Sequence, residues 1–348
     1  MTRQPNYSSN LDLNRGRVEM IHGGGGKAMA QLIDGLFCRA FDNPWLAQKN
    51  DQACFTLPPG RVVMATDSHV ISPLFFPGGD IGSLSVHGTV NDVAMSGAVP
   101  HFLSAGFILE EGFPLAELQR IVTSMAQAAA EAGVAIVTGD TKVVERGKGD
   151  GCFINTTGVG VVAEGIQMGS DRVRAGDKIL LSGSLGDHGV AIMSQRQNLD
   201  FATRIESDSQ SLNDLVAVMT AAVPKLHCLR DPTRGGLAAT LNEIAQQAAV
   251  GMQIYEQQIP VKAEVAAACE FLGLDPLYVA NEGKLVAFCP AEQAEPLLAV
   301  MRAHPKGADA AIIGEVVEDS LGFVQMQTAF GGNRMVDWIN GEQLPRIC

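Results

Sequence analysis

The sequence of 348 residues has no C-x-x-C pair, no excess of positive charge, few aromatic side chains and no apolar run long enough to cross a membrane. Each absence excludes something. The cysteines, at 38, 54, 152, 228, 269, 289 and 348, are odd in number and scattered, so they read as reduced thiols of a cytoplasmic protein rather than a disulfide framework or a zinc site. Lys and Arg total 25 against 38 Asp and Glu, a net charge of −13, which argues against a nucleic-acid backbone as partner because that needs a clustered basic face. The start, MTRQPNYSSNLDLNRG, is polar, so neither a secretion signal nor a membrane anchor is expected. The histidines show no H-x-x-x-H or H-E-x-x-H spacing, which argues against a zinc enzyme, and Ser96 lacks the G-x-S-x-G elbow of a hydrolase. Nor is His22–Lys27 a Walker A loop: Ile21 stands where the first glycine is needed, and Ala28 where Ser or Thr would hold magnesium.

What is present describes a folded chain of about two domains: 46% hydrophobic and 18% charged residues, with 38 glycines for tight turns and close backbone approaches. Periodicity predicts a helix from Ala28 to Phe41, a strand Arg61–Thr66 ending on Asp67, an amphipathic helix from Ile81 to Ser96, a strand His101–Leu109, a helix Leu115–Ala132, a short strand Val134–Val137 ending at Asp140, and a strand Phe153–Val162. A polar stretch places a boundary near residue 168. Beyond it helices are expected near Ala191 and Asp214 and over Leu237–Ala249, Val261–Leu272 and Ala291–Ala303, with strands at Lys178–Ser182, Met252–Tyr255, Lys284–Phe288, Ala311–Val317 and Phe323–Gln327. The fold class is α+β, helices layered on a mixed sheet in each half: residues 1–168, then 169–332, then a tail 333–348 in which Pro345 discourages a terminal helix.

Several features could carry chemistry. Gly23, Gly24, Gly25 and Gly26 can turn successive N–H groups toward a phosphate, or act as a hinge. Asp67 and Asp140 end strands and Asp92 rides on the helix between them, where magnesium on nucleotide phosphates could be held, although an Asp at a strand end is more often a turn residue. Lys142 beside Asp140 is either a solvated charge or a phosphoryl ligand. Asp231–Gly236 opens a helix and Asn281–Lys284 precedes a strand, which taken alone are a cap and a turn. Cys348 is the last residue, expected to be accessible and mobile as termini usually are, and is either an accidental end residue or a thiol that the tail can swing into a site.

The ordered set HGGGG (22–26), ATDS (65–68), NDVAMSGA (91–98), GDTKV (139–143), RDPTRGG (230–236), NEGK (281–284) and terminal PRIC (345–348) resembles the HypE family, carbamoyl dehydratases of [NiFe]-hydrogenase maturation in the PurM-like superfamily of aminoimidazole ribonucleotide synthetase. The resemblance implies a homodimer formed through a β-barrel shared between N-terminal domains, and a C-terminal α/β sandwich. ATP would lie in the cleft between domains, with Asn91, Asp140 and the glycine loop about the nucleotide and Mg2+ on Asp67, Asp92 and Asp140. Cys348 would carry a carbamoyl group placed there by the carbamoyltransferase HypF. Glu282 with Lys142 would remove protons as the group is dehydrated to a thiocyanate, and the cyano group would pass to a HypC–HypD complex. The superfamily alternatives are selenide water dikinase, whose reactive Cys or selenocysteine in the glycine loop is missing from residues 22–27, and thiamine-monophosphate kinase, which has no use for a terminal cysteine. A non-catalytic carrier of the cyano group is a further reading.

Overall fold

The computed structural model describes residues 11–199, 205–338, 344 and 346–348. The expectation for Pro345, and that of a loose start over residues 1–10, lie outside the described residues. The first half comprises α1 (Lys27–Leu32), α2 (Cys38–Phe41), β1 (Arg61–His69), the small hairpin β2 (Phe75–Phe76) and β3 (Gly79–Asp80), α3 (Ile81–Met95), β4 (Ala98–Glu110), α4 (Leu115–Ala132), β5 (Ala135–Val144) and β6 (Cys152–Val162). Its sheet has the order β1-β6-β4-β5, antiparallel except for the β4–β5 pair, which α4 connects.

One face of this sheet is covered by α3. Gly158 and Gly160 of β6 let the helix approach, since a Cβ at 160 would stand 2.5 Å from Val93 Cγ1. Gly82 does the same for α4, where a Cβ would meet the Ile121 carbonyl oxygen at 2.2 Å. Asp80 caps α3 by accepting from the Gly82 and Ser83 N–H groups. The other sheet face is open along β1, with Val62 60% and Met64 71% exposed, while Trp45 and Phe55 cover Phe102 of β4.

The second half comprises β7 (Lys178–Leu181), α5 (Asp187–Arg196), α6 (Asn213–Ala222), β8 (Cys228–Arg230), α7 (Gly236–Ala248), β9 (Gly251–Tyr255), α8 (Ala263–Leu272), β10 (Val286–Cys289), α9 (Ala291–Ala303), β11 (Ala311–Val317), β12 (Val324–Gln327) and β13 (Asn333–Met335). They build a seven-stranded mixed sheet, β13-β12-β9-β11-β7-β10-β8, with α7 packed on one face and α6 and α9 on the other. This is a two-domain α+β architecture.

Three expectations need correction. The helix expected over Ala28–Phe41 is broken by a π-helical turn at Ile33–Phe37, of the kind periodicity does not reveal. Asp67 and Asp140 do not close their strands: β1 runs on to His69 and β5 to Val144, because both residues are paired into the sheet. The end of the chain is docked rather than free. Ile347 is 2% exposed within the core of the first half, and its neighbours pair with the segment that follows β1.

Candidate active site

The cleft between the halves holds the Cys348 thiol. Arg234, from the turn that opens α7, donates through a guanidinium nitrogen to the Cys348 sulfur at 3.3 Å. Glycine builds that turn: Gly235 has φ +81° and Gly236 φ +63°, and a Cβ on Gly236 would meet the carbonyl oxygens of Leu277 and Val279 at 2.6 and 2.7 Å. Burial pushes the thiol up to about 11 and Glu282 adds to this, while Arg234 opposes it. In this docked form the sulfur is a thiol, not a thiolate.

Glu282 lies beside it, 4% exposed, with Oε1 lacking a hydrogen-bond partner in the protein. Burial raises its carboxyl well above the usual range, and Asp231, Asp208, Asp67 and Asp92 push the same way. Asp92, raised to about 7 by burial, then by Asp231 and Asp67, belongs to the same cluster, as does the buried Asp231. So much like charge in a low-dielectric cleft is a place for protons or a cation.

Asp208 is the exception. Burial would raise it, but the Lys284 ammonium, with the hydrogen bonds that it and the Glu282 N–H donate, holds it below the ordinary carboxylate range. Its Oδ2 accepts from Lys284 Nζ at 3.0 Å and its Oδ1 from the Glu282 N–H at 3.1 Å, which fixes the Glu282 backbone. Gly283 is required there, because a Cβ would lie 1.8 Å from the Asp208 carbonyl oxygen.

The expected site residues thus fall into two groups. Cys348, Glu282, Asp67 and Asp92 come together in the cleft. Asp140, Lys142 and the glycine run do not join them. Asp140 and Lys142 form an exposed ion pair of 2.7 Å on β5, at the opposite edge of the sheet from Asp67, three strand spacings or roughly 14 Å away. Gly23 packs on the neighbouring Val143, where a Cβ would touch the Val143 backbone at 3.0 Å, so the glycine loop borders the same pair. Beside it an apolar cavity of about 170 Å³ is lined by Met29, Phe37, Phe107, Ile136 and Asp140 among others. A second cavity of about 370 Å³ runs from Asp140 and Lys142 across the open face to Ser68–Val70, next to the docked tail.

Asn91, 1% exposed, holds the halves together. Its amide nitrogen donates to the Gln210 and Glu282 carbonyls at 3.0 and 3.3 Å, and its oxygen accepts from the Leu212 N–H at 2.7 Å. Sequence reasoning marked the segments of Arg234 and Asp231 through their glycine-rich turn but assigned them no role. Asp208 and His188 carried no local signal at all.

Among the described residues no three His, Cys, Asp or Glu side chains are placed to hold a metal ion by themselves. Magnesium on nucleotide phosphates needs only one or two carboxylates and fills its shell with water and phosphate oxygens. The unpartnered Glu282 oxygen and the raised Asp92 and Asp231 fit such an ion near Asp67, Asp92 and Asp231, but not a set that includes Asp140.

Fold and cleft together define a two-domain protein of the AIR synthase related type that presents its own terminal cysteine to an acidic interdomain site. The AIR synthase related N-terminal domain matches residues 49–162 and the corresponding C-terminal domain residues 174–327. The chain belongs to the HypE family. It is 71% identical over 340 residues to the carbamoyl dehydratase HypE of Azotobacter vinelandii, covering 98% of this chain and 100% of that one. A crystal structure of the hydrogenase maturation protein HypE in complex with ATP superposes with a TM-score of 0.92 at 54% identity, covering 95% of this chain and 99% of that one. A HypE–HypF complex structure matches with a TM-score of 0.78 at 49% identity, covering 88% and 99%.

Proposed function

We propose that this chain is an ATP-dependent carbamoyl dehydratase acting on its own C-terminus: it converts an S-carbamoyl group on Cys348 to a thiocyanate, which supplies a cyano ligand of [NiFe]-hydrogenase. The observation that carries this reading is the burial of a terminal thiol beside Glu282 and Arg234 in an acidic cleft.

The carbamoyl oxygen is a poor leaving group, so it takes the γ-phosphoryl group of ATP and departs as phosphate while the nitrogen loses both protons. Sulfur, carbon and nitrogen remain as S–C≡N, and the products are ADP and phosphate. Arg234, at the sulfur, is placed to offset charge developing on the carbamoyl oxygen. Glu282, when deprotonated, is the base for one N–H proton, and the departing phosphate takes the other. Bound magnesium would neutralise charge on the transferred phosphoryl group. Lys142 and Asp140 are assigned to the nucleotide with the glycine loop, the adjoining apolar cavity suiting a base; the channel from Lys142 to Val70 leads toward the tail. Lys142 on β5 of the first half and Glu282 of the second do not meet within one chain, so Glu282 is proposed as the base and Lys142 as a nucleotide ligand.

ATP turnover tests this. The S-carbamoylated chain is expected to hydrolyse about one ATP per thiocyanate formed, and the unmodified chain to hydrolyse little. ATP binding without turnover by the carbamoylated chain would favour the carrier reading instead.

The partners follow from the same reading. The HypE–HypF complex structure supports a HypF-type protein as partner, proposed here as the carbamoyl donor, and a HypC–HypD complex is proposed as acceptor, in the cytoplasm. No helix among the described residues is long and apolar enough to cross a membrane. The open sheet face, with Val62, Met64, Val99 and Ile108 between 46% and 71% exposed, suits a second copy of the same sheet, closing a barrel across a homodimer. Met64→Asp is expected to shift the protein from dimer to monomer in light scattering; an unchanged dimer would place the interface elsewhere.

A further inference from the structure

The contacts that hold the tail depend on its sequence. Residues 346–348 run beside the segment after β1, with Arg346 turned into the left-handed region at φ +53°: the Val70 N–H donates to the Cys348 carbonyl at 3.1 Å and the Ser72 N–H to the Arg346 carbonyl at 3.3 Å. Backbone pairing grips a peptide whatever its sequence, and the side chains supply the selectivity. Here Ile347 enters the core of the first half. Arg346 turns outward onto the Asp150 carboxylate, and its Nε donates to the Val70 carbonyl at 2.9 Å.

The second half contributes His188, which is fully buried on α5. Its Nε2 lies 2.8 Å from the Ile347 carbonyl oxygen and its Nδ1 2.8 Å from the Ser207 hydroxyl. A carbonyl only accepts, so Nε2 carries the hydrogen and Nδ1 accepts from Ser207. The Phe76 ring meets the imidazole edge-on at 5.6 Å, which fixes the ring plane. If the tail withdraws, water must take the place of the Ile347 carbonyl at Nε2–H, so this bond adds to the contacts that favour the docked tail.

We infer that Val70–Ser72, Asp150 and His188 form a peptide-reading slot selective for a C-terminus of the form Arg-Ile-Cys, and that His188 is the positioning residue that sets how deeply the terminal thiol enters the acidic cleft. The slot deepens the dehydratase reading, on which its purpose rests, by naming what selects the thiol substrate. Asp150 and Arg346 are half exposed, so they tune selectivity, whereas the buried His188 contact sets position.

The test is the rate at which N-ethylmaleimide alkylates Cys348 in the full chain without ATP or partner, read from the mass of the C-terminal peptide so that the other thiols do not count. His188→Leu is expected to raise the rate about tenfold, equivalent to about 1.4 kcal/mol. His188→Gln, whose amide presents a donor near the Nε2 position, should stay within about threefold of the unmodified chain. Asp150→Lys and Arg346→Glu should each raise the rate about threefold by exposed-pair magnitudes, and the double variant should return toward the starting value. Equal acceleration by Leu and Gln overturns the role of His188, and a double variant faster than either single one overturns that of Asp150. Because alkylation needs no chemistry in the cleft, slow alkylation without dehydration would sink the proposed activity and leave the slot standing. Uniformly fast alkylation with intact dehydration would do the reverse.

Discussion

Glu282→Gln is expected to lower the rate of thiocyanate formation on carbamoylated Cys348 by about 10²–10⁴-fold, the usual contribution of a positioned general base. The change keeps the shape of the side chain and removes only its capacity to take a proton. Folding should not suffer. The Glu282 carboxyl is raised well above its ordinary value by burial and by the surrounding carboxylates, so its contribution to stability is full below the unfolded-state value and is lost as pH rises through the folded one. Glutamine is neutral throughout and escapes that loss, so the variant should be at least as stable as the unmodified chain at neutral pH. The same sign sets the rate profile. The base form appears as pH rises, so dehydration by the unmodified protein should increase with pH across the range where Glu282 releases its proton, and the residual rate of the Gln variant should not share that rise. Quenched-flow measurement of thiocyanate formation checks both; an unaltered rate in Glu282→Gln would remove the residue from the chemistry.

The other large effect comes from the sulfur. Cys348→Ala should abolish cyano transfer completely rather than slow it, because the atom that carries the carbamoyl group is gone. Arg346 and Ile347 still supply the contacts to Asp150, Ser72 and His188, so the shortened side chain should leave the tail docked and ATP binding unchanged. Hydrogenase activity in cells that depend on this chain for maturation is the readout, and retained maturation with Cys348→Ala would contradict the assignment.

Much of this site was legible in the residues, but only part of its geometry. The terminal cysteine stood out because a thiol at the end of a short tail is accessible, and the sequences around Glu282 and Arg234 stood out as glycine-punctuated turns. Where the tail docks was not legible: Val70–Ser72, Asp150 and His188 are separated by long stretches of chain, and each is an ordinary residue until the fold brings them together. Asn91 and Asp92 illustrate the same limit at one turn of helix. Adjacent positions on α3 point in different directions, so Asp92 joins the acidic cluster while Asn91 bonds the backbone of residues 210, 212 and 282. The gathering of Asp140 with Asp67 and Asp92 was expected from their similar strand-end settings. Sheet order decided otherwise, placing β1 and β5 at opposite edges. The π-helical turn at Ile33–Phe37, which contributes Ile33 and Phe37 to the cavity beside Asp140, leaves no mark on the spacing of apolar residues.

The most direct measurement follows the C-terminal peptide itself. After incubation with a HypF-type transferase and its carbamoyl donor, mass spectrometry of that peptide should show one carbamoyl group on Cys348, and addition of ATP should convert it by loss of one water to the thiocyanate. An unmodified Cys348 with the carbamoyl group on another residue, or a carbamoylated Cys348 that ATP leaves unchanged, would contradict the account.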